Sequence, residues 1–246
     1  MMPRPAPPGA NPRARTGVDQ IYASLREQIV TVVLRPGDSL SEARIAETFG
    51  VSRTPVREAF KRLAEEGLLR VVPQVGSFVA PIDLGSVRDS HFVRESLECR
   101  LVGLAARRIN DAQRAELARN LQAQAEAMKA NDPAQFFRHD EEMHRLIARI
   151  AGHERAWQVI HEAKGQLDRV RRLSLADATR SRSRIAEHRA IVRCLVEGDA
   201  AGAERAMRDH LASIFTAIDN IAAENAHYFV DGEAPVGTPF AVASGR

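Results

Sequence analysis

The chain has 246 residues, 44% of them hydrophobic, and a formal net charge of +3. That excludes a wholly disordered chain, and no apolar run approaches the roughly 18 residues of a membrane span. The basic residues are arginines apart from Lys61, Lys129 and Lys164, a balance that permits nucleic-acid binding without requiring it. Cys99 and Cys194 lie far apart in helical patterns and read as core thiols of a reducing, cytoplasmic compartment rather than as a disulfide.

Residues 1–16, MMPRPAPPGANPRART, are basic and proline-rich with no apolar stretch behind them, so a disordered arm is expected rather than a secretory signal. Ile21, Leu25, Ile29 and Val32 then recur at helical spacing over residues 18–34, until Arg35-Pro36-Gly37-Asp38 makes a turn. A short helix is expected over 41–49, with Ile45 and Phe49 inward and Gly50 closing it. Ser52-Arg53-Thr54-Pro55 opens a third helix with a hydroxyl N-cap and a proline tolerated in the first turn, and Gly67 ends it. Two β-prone runs, 68–72 and 77–80, flank the turn Pro73-Gln74-Val75-Gly76 and read as a hairpin. From residue 83 the patterns are all helical: 84–109, 111–130, 133–151, 153–177, 180–197 and 199–225, punctuated by Asn110-Asp111, Asn131-Asp132-Pro133, Gly152 and Gly198-Asp199. From residue 229 onward the composition turns to glycine, proline and alanine, and a flexible tail is expected.

The expected fold is therefore mainly α: a winged helix-turn-helix over 17–80, then an all-helical bundle over 81–228. Such a motif places its second helix in the DNA major groove with that helix's first residues at the base edges. Val56, Phe60 and Leu63 form an inward stripe on the third helix, while Arg53, Arg57 and Lys61 repeat every four residues on another face. A row of this kind can be a plain solvated face. At the start of a recognition helix it can instead meet phosphates and, through a guanidinium fork, guanine O6 and N7, with Ser52 and Thr54 donating alongside.

In the bundle, Asp140 and His144 share a helix face that also carries Phe136, Phe137, Met143 and Ile147. His188 sits among Ile185, Val192 and Leu195, and His210 beside Ala206, Met207 and Ile214. Single inward histidines are ordinary core residues, but a carboxylate on an apolar face is costly unless paired or metal-bound. One Asp and three imidazoles suit Zn²⁺, Ni²⁺ or a similar divalent ion, although spacing alone does not bring them together. His91, His139, His153, His161 and His227 fit no ligand pattern, and the arginine run Arg169, Arg171, Arg172, Arg180, Arg182, Arg184 reads as a solvated face.

Two sets of residues carry a resemblance. Leu34-Arg35-Pro36-Gly37, Ile45-Ala46, Gly50-Val51-Ser52-Arg53-Thr54-Pro55-Val56-Arg57-Glu58-Ala59, Arg62-Leu63, Glu66-Gly67-Leu68 and Gly76 resemble the DNA-binding domain of GntR-family regulators, with Phe60 where leucine is more usual. The resemblance implies DNA contacts by Arg44, Ser52, Arg53, Thr54 and Arg57, and a wing tip at Gly76 entering the minor groove. Val93-Arg94-Glu95-Ser96-Leu97-Glu98, Asp140 with His144, Glu187-His188-Arg189-Ala190-Ile191, and Gly198-Asp199 through Met207 to His210-Leu211 resemble the FCD domain of the FadR-like subfamily. It implies that Asp140, His144, His188 and His210 hold a metal under an effector cavity, and that Arg94 clamps an effector carboxylate. The expected function is thus an effector-controlled regulator, usually a repressor, acting as a homodimer on palindromic double-stranded operator DNA. Two other readings stand beside it. One is a metalloenzyme using the Asp and three His, against which there is no HExxH motif and no evident general base; the other is a DNA-binding protein whose metal is purely structural.

Overall fold

In a computed structural model that describes residues 17–174 and 178–230, the chain folds as a helical unit with a three-stranded sheet, followed by a helical unit with a two-stranded one. The expected arm and all of the tail beyond Val230 lie outside the described residues.

The first unit holds α1 (Gly17–Val30), β1 (Ser39–Leu40), α2 (Glu42–Phe49), α3 (Arg53–Glu65) and the hairpin β2 (Leu69–Val72) and β3 (Gly76–Val79). Ile21, Leu25 and Ile29 of α1 meet Val56, Ala59, Phe60 and Leu63 of α3 and Leu68, Leu69 and Val79 in one buried cluster. α1 stops four residues before its apolar pattern does. Val32 takes a left-handed φ of 60° and Val33 is exposed, because the chain must turn at Pro36 to lay β1 against β3 in antiparallel register, Leu40 opposite Ser77. The Ser41 hydroxyl caps α2 by accepting from the Arg44 N–H, and Gly50, at φ 64°, makes the tight turn into α3 that a side chain would strain.

The second unit contains β4 (Ile82–Asp83), α4 (Leu84–Ala106), α5 (Asp111–Lys129), α6 (Pro133–Ile150), α7 (Glu154–Ala163), α8 (Gly165–Ser174), α9 (Ala178–Glu197), α10 (Ala200–Ala212), α11 (Phe215–Glu224), a single 3-10 turn (Ala226–Tyr228) and β5 (Phe229–Val230). Asp83, Asn110, Asp132 and Asp199 cap α4, α5, α6 and α10, each accepting backbone N–H groups left without partners in the first turn. Val102, Leu117, Met143, Ile147, Ile191 and Met207 are among the fully enclosed side chains of the bundle core.

Three expectations are corrected here. The single helix over 153–177 is two, broken at Lys164 and Gly165, and its last three residues fall outside the described set. Gly165 starts the second of them close to the first unit, where a Cβ would be in van der Waals contact with Leu68 and Arg26. The helix over 199–225 bends at Ser213, whose hydroxyl donates to the His210 carbonyl at 2.7 Å. Phe229 and Val230, assigned by composition to the tail, form β5 and pair in parallel with Ile82 and Asp83.

Candidate functional site

The α3 face carries the groove-reading candidates. Arg44, Ser52, Arg53, Thr54, Arg57 and Gly76 are all exposed on the first unit. Ser52 is the N-cap of α3 yet makes no capping hydrogen bond, which leaves its hydroxyl available to a phosphate. Arg57 Nε donates to Glu42 Oε2 at 2.8 Å, a pair of a well-exposed arginine with a half-buried glutamate, whereas Arg44 and Arg53 have no ion pair among the described residues. The wing turn has Gln74 at φ 63° and Gly76 at φ 146°.

The second constellation is buried. Asp140 and His144 from α6, His188 from α9 and His210 from α10 converge so that one ligand atom from each lies within 4.8 Å of the others, all four at 2% exposure or less. Their environment selects the protonation states a metal ion requires. Burial would raise the Asp140 carboxyl, but Arg171 and then His188 outweigh it and hold it well below the usual carboxylate range. Burial pushes His188 down despite Asp140, and pushes His210 well below its usual value with the other two histidines adding to the effect. The result is one carboxylate and, at His188 and His210, neutral imidazoles whose lone pairs are free to coordinate.

Each ring is oriented from behind. His188 Nδ1 is 2.6 Å from Gln124 Oε1, whose amide nitrogen donates to Asn120 Oδ1, so the ring donates and its Nε2 keeps the lone pair. His210 Nδ1 donates to Glu187 Oε2 at 2.8 Å, and His144 Nδ1 contacts Glu98 Oε2. Glu98 is held ionised against its burial by Arg94 and His144, with Arg94 Nε donating to its Oε1 at 2.6 Å. The inward atoms lack hydrogen-bond partners: His144 Nε2, His188 Nε2 and Asp140 Oδ1 are buried orphans, and the last two lie 3.2 Å apart. Bonds of about 2.0–2.2 Å to one ion put its ligands about 3 to 4 Å apart, so a small contraction would close the set around a dication. These residues fit a divalent metal.

Beside the centre, α8 faces two ways. Arg171 pairs with the outer oxygen of Asp140 and donates to Glu141 and Asp168, each at 2.8 Å, and Lys164, fully enclosed, pairs with Asp168 and with Glu141 at 2.6 Å. Toward the first unit, Arg169 donates to the carbonyls of Ala80 at 2.7 Å and Pro81 at 3.3 Å, and Gln166 donates to the Gly67 carbonyl at 2.7 Å. Arg26 of α1 completes the joint, reaching Glu66 and the His161 carbonyl at 2.9 Å each. The expected solvated arginine face is therefore wrong for Arg169, Arg171 and Arg184, which are buried, and for Arg172, half-buried against Phe137; the side chains of Arg180 and Arg182 lie outside the described set. Arg94 is also buried and is paired within its own helix rather than between helices.

Spacing missed the residues that orient the ligands. Glu98 has only the i,i+4 spacing from Arg94 to mark it, Gln124 has no sequence link to any histidine, and Glu187 is simply the neighbour of His188.

A winged helix with an exposed basic reading face, joined to a second domain built of helices, defines a class of DNA-binding regulators. Models of two families match: bacterial regulatory proteins of the gntR family over residues 18–79, and the FCD domain over residues 89–213. An HTH-type transcriptional regulator from an unstable DNA locus of Streptomyces ambofaciens is 39% identical over 92% of this chain and 95% of its own length. The HTH-type transcriptional repressor RspR of Escherichia coli K12 is 38% identical over 85% of this chain and 92% of its own. Among solved structures, Escherichia coli McbR/YncC has the same fold, with a TM-score of 0.73 at 21% identity over 83% of this chain and 98% of that one. The chain belongs to the GntR family of transcriptional regulators, with an FCD domain after its DNA-binding domain. The family and these relatives are regulators rather than enzymes, which disposes of the metalloenzyme reading.

Proposed function

We propose that this regulator is a cytoplasmic homodimer that binds a palindromic operator and releases or tightens it in response to a small carboxylate held beside a divalent metal. The observation that carries the reading is the set of inward, unpartnered ligand atoms of Asp140, His144 and His188, with His210 closing the group. When bound, the metal supplies a Lewis-acidic position for a carboxylate oxygen. Gln124, Glu187 and Glu98 orient the imidazoles, and Arg94, whose Nη2 is buried without a partner, offers a donor to the same carboxylate. Arg53 and Arg57 read the major groove with Arg44, Ser52 and Thr54 around them, and Gly76 lets the wing approach the minor groove.

Coupling needs an element in contact with both ends, and α8 meets that need: Arg171 touches a candidate ligand and Arg169 touches the linker that leaves the DNA-binding domain. The relative named a repressor supports repression for this chain too. Elemental analysis of the purified protein and of its Asp140→Ala, His144→Ala, His188→Ala and His210→Ala variants tests the centre, with metal content falling in each. Full occupancy after losing His188 and His210 together would return both to the ordinary core. An effector that binds but shifts operator affinity in neither direction would leave a structural metal in a dimerisation domain.

A further inference from the structure

Among the described residues, four cations are buried around the Asp140 and histidine cluster, and three have bonded carboxylates. Arg94 has Glu98, Lys164 has Asp168 and Glu141, and Arg171 has Asp140, Glu141 and Asp168. Arg184 has no hydrogen bond or ion pair with any described residue, although it is only 8% exposed. It stands one helical turn before His188 on α9 and lines a gap with Asp140, Arg171, Phe136 and Phe137. Burial pushes its guanidinium down to about 10, so it stays charged at neutral pH.

A buried cation without a counter-ion is costly, and the carboxylates closest to this one are already used. Asp140 is engaged by Arg171 on one oxygen and turns the other toward His188; Glu187 accepts from His210 and Ser213 on one oxygen and from Ser183, at 3.0 Å, on the other. The gap between the phenylalanines is too tight for a water-sized guest, so hydration cannot replace the missing anion from that side. Asp140 lines the same gap, so Arg184 stands beside the four-residue centre, where a partner could be seated. On α4, Arg94 leaves its buried Nη2 unpartnered as well. Two guanidiniums from different helices thus have room for an anion: Arg184, which has no carboxylate, and Arg94, which has one on Nε but none on Nη2.

We infer that the effector carries two carboxylates, one seated on Arg184 and the other on Arg94. This rests on the reading of the helical domain as a carboxylate sensor. It narrows the ligand class to a short dicarboxylate and assigns Arg184 as the residue that distinguishes it from a monocarboxylate.

Calorimetric titration of the zinc-loaded full-length protein with malonate, succinate and acetate tests it. At least one dicarboxylate should bind about tenfold or more tighter than acetate, since a second charge-assisted contact is worth at least that factor. Arg184→Gln should erase that advantage while zinc content and acetate affinity hold, and Arg184→Lys, which keeps the charge without the fork, should retain part of it. Dicarboxylates no tighter than acetate, or an advantage untouched in Arg184→Gln, would overturn the inference and leave the sensor reading standing. Failure of all three probes to bind zinc-loaded protein would remove both. If Arg184→Gln does not fold, the comparison of acetate with the dicarboxylates on the unaltered protein, together with Arg184→Lys, still decides.

Discussion

The two domains place their charges in opposite ways. On α3 the basic residues face solvent, and their ion pairs, Arg57 with Glu42, Lys61 with Glu65 and Arg62 with Asp19, join side chains that are a third or more exposed. In the helical domain Asp140, Asp168, Glu98, Arg94, Arg171 and Lys164 are almost fully enclosed and bonded to one another. Exposed charge costs the fold little and is free to leave for a phosphate. Enclosed charge is costly to desolvate and persists where its partners are complete, so each member is held in one geometry. The first arrangement suits reading a polyanion by contact, and the second suits a site whose ligand atoms must already be in place.

The largest expected effect sharpens that contrast. Asp140→Ala leaves the Arg171 guanidinium without its partner at the centre, and stability of the metal-free protein should fall by about 3–5 kcal/mol in urea denaturation. Arg57→Ala, which breaks an exposed pair, should change stability by about 0.5 kcal/mol or less. Equal losses in the two variants would erase the distinction.

Next in size is operator binding. Arg53→Ala and Arg57→Ala should each weaken an operator selected from random duplex DNA by about 1–3 kcal/mol if the side chain reads a base, with circular dichroism unchanged. A salt-titrated gel shift gives the answer, and unchanged affinity in both would remove α3 from the groove.

Acid should act on the buried centre. His188 and His210 have folded pKa values below the unfolded value near 6.5, so below that pH the unfolded chain takes up protons that the folded chain refuses. Stability of the metal-free protein should decline as pH falls through about 6.5, each histidine adding up to about 1.4 kcal/mol per pH unit. Asp140 and Glu98, both depressed, add their loss only below the ordinary carboxylate range near 4. His188→Gln with His210→Gln should flatten the slope between pH 6.5 and 5; a slope unaltered there would place its source elsewhere.

The same contrast explains what the sequence made legible. The reading helix announced itself because its signals are local: an inward stripe of Val56, Phe60 and Leu63, a turn at Gly50 and a charge row. Asp140, His144, His188 and His210 could be picked out because a polar residue inside an apolar stripe breaks a pattern within one helix. Their partners could not be. Glu98 and Arg94 have the spacing of a surface pair, and α4 shows no clean apolar face because Ser90, Arg94 and Glu98 share the buried side with Val87, Leu101 and Val102. Arg169 and Arg171 differ from a solvated run only in what packs over them, which is decided by elements far away in the chain. The joint at Gly165 and the two-residue strand β5 are likewise tertiary features, too short or too non-local for periodicity to register.

The smallest expected effect lies at the exposed pair itself. Glu42 caps no helix and holds Arg57 through one solvated bond, so Glu42→Ala should leave stability within about 0.5 kcal/mol of the starting protein. Its effect on DNA should have the opposite sign to that of Arg57→Ala. Removing the carboxylate frees the guanidinium and takes a negative charge away from the phosphates, so operator affinity should rise by up to about 1 kcal/mol at low salt. If the freed Arg57 adds a phosphate contact, the dependence of log affinity on log salt should steepen by about 0.9. If it reads a base, affinity should rise without that change in slope and the gain should vanish on a scrambled duplex. A loss of affinity in Glu42→Ala would mean that the pair positions Arg57 for the groove rather than restraining it, and exposed charge on α3 would then be as constrained as the buried charge in the helical domain.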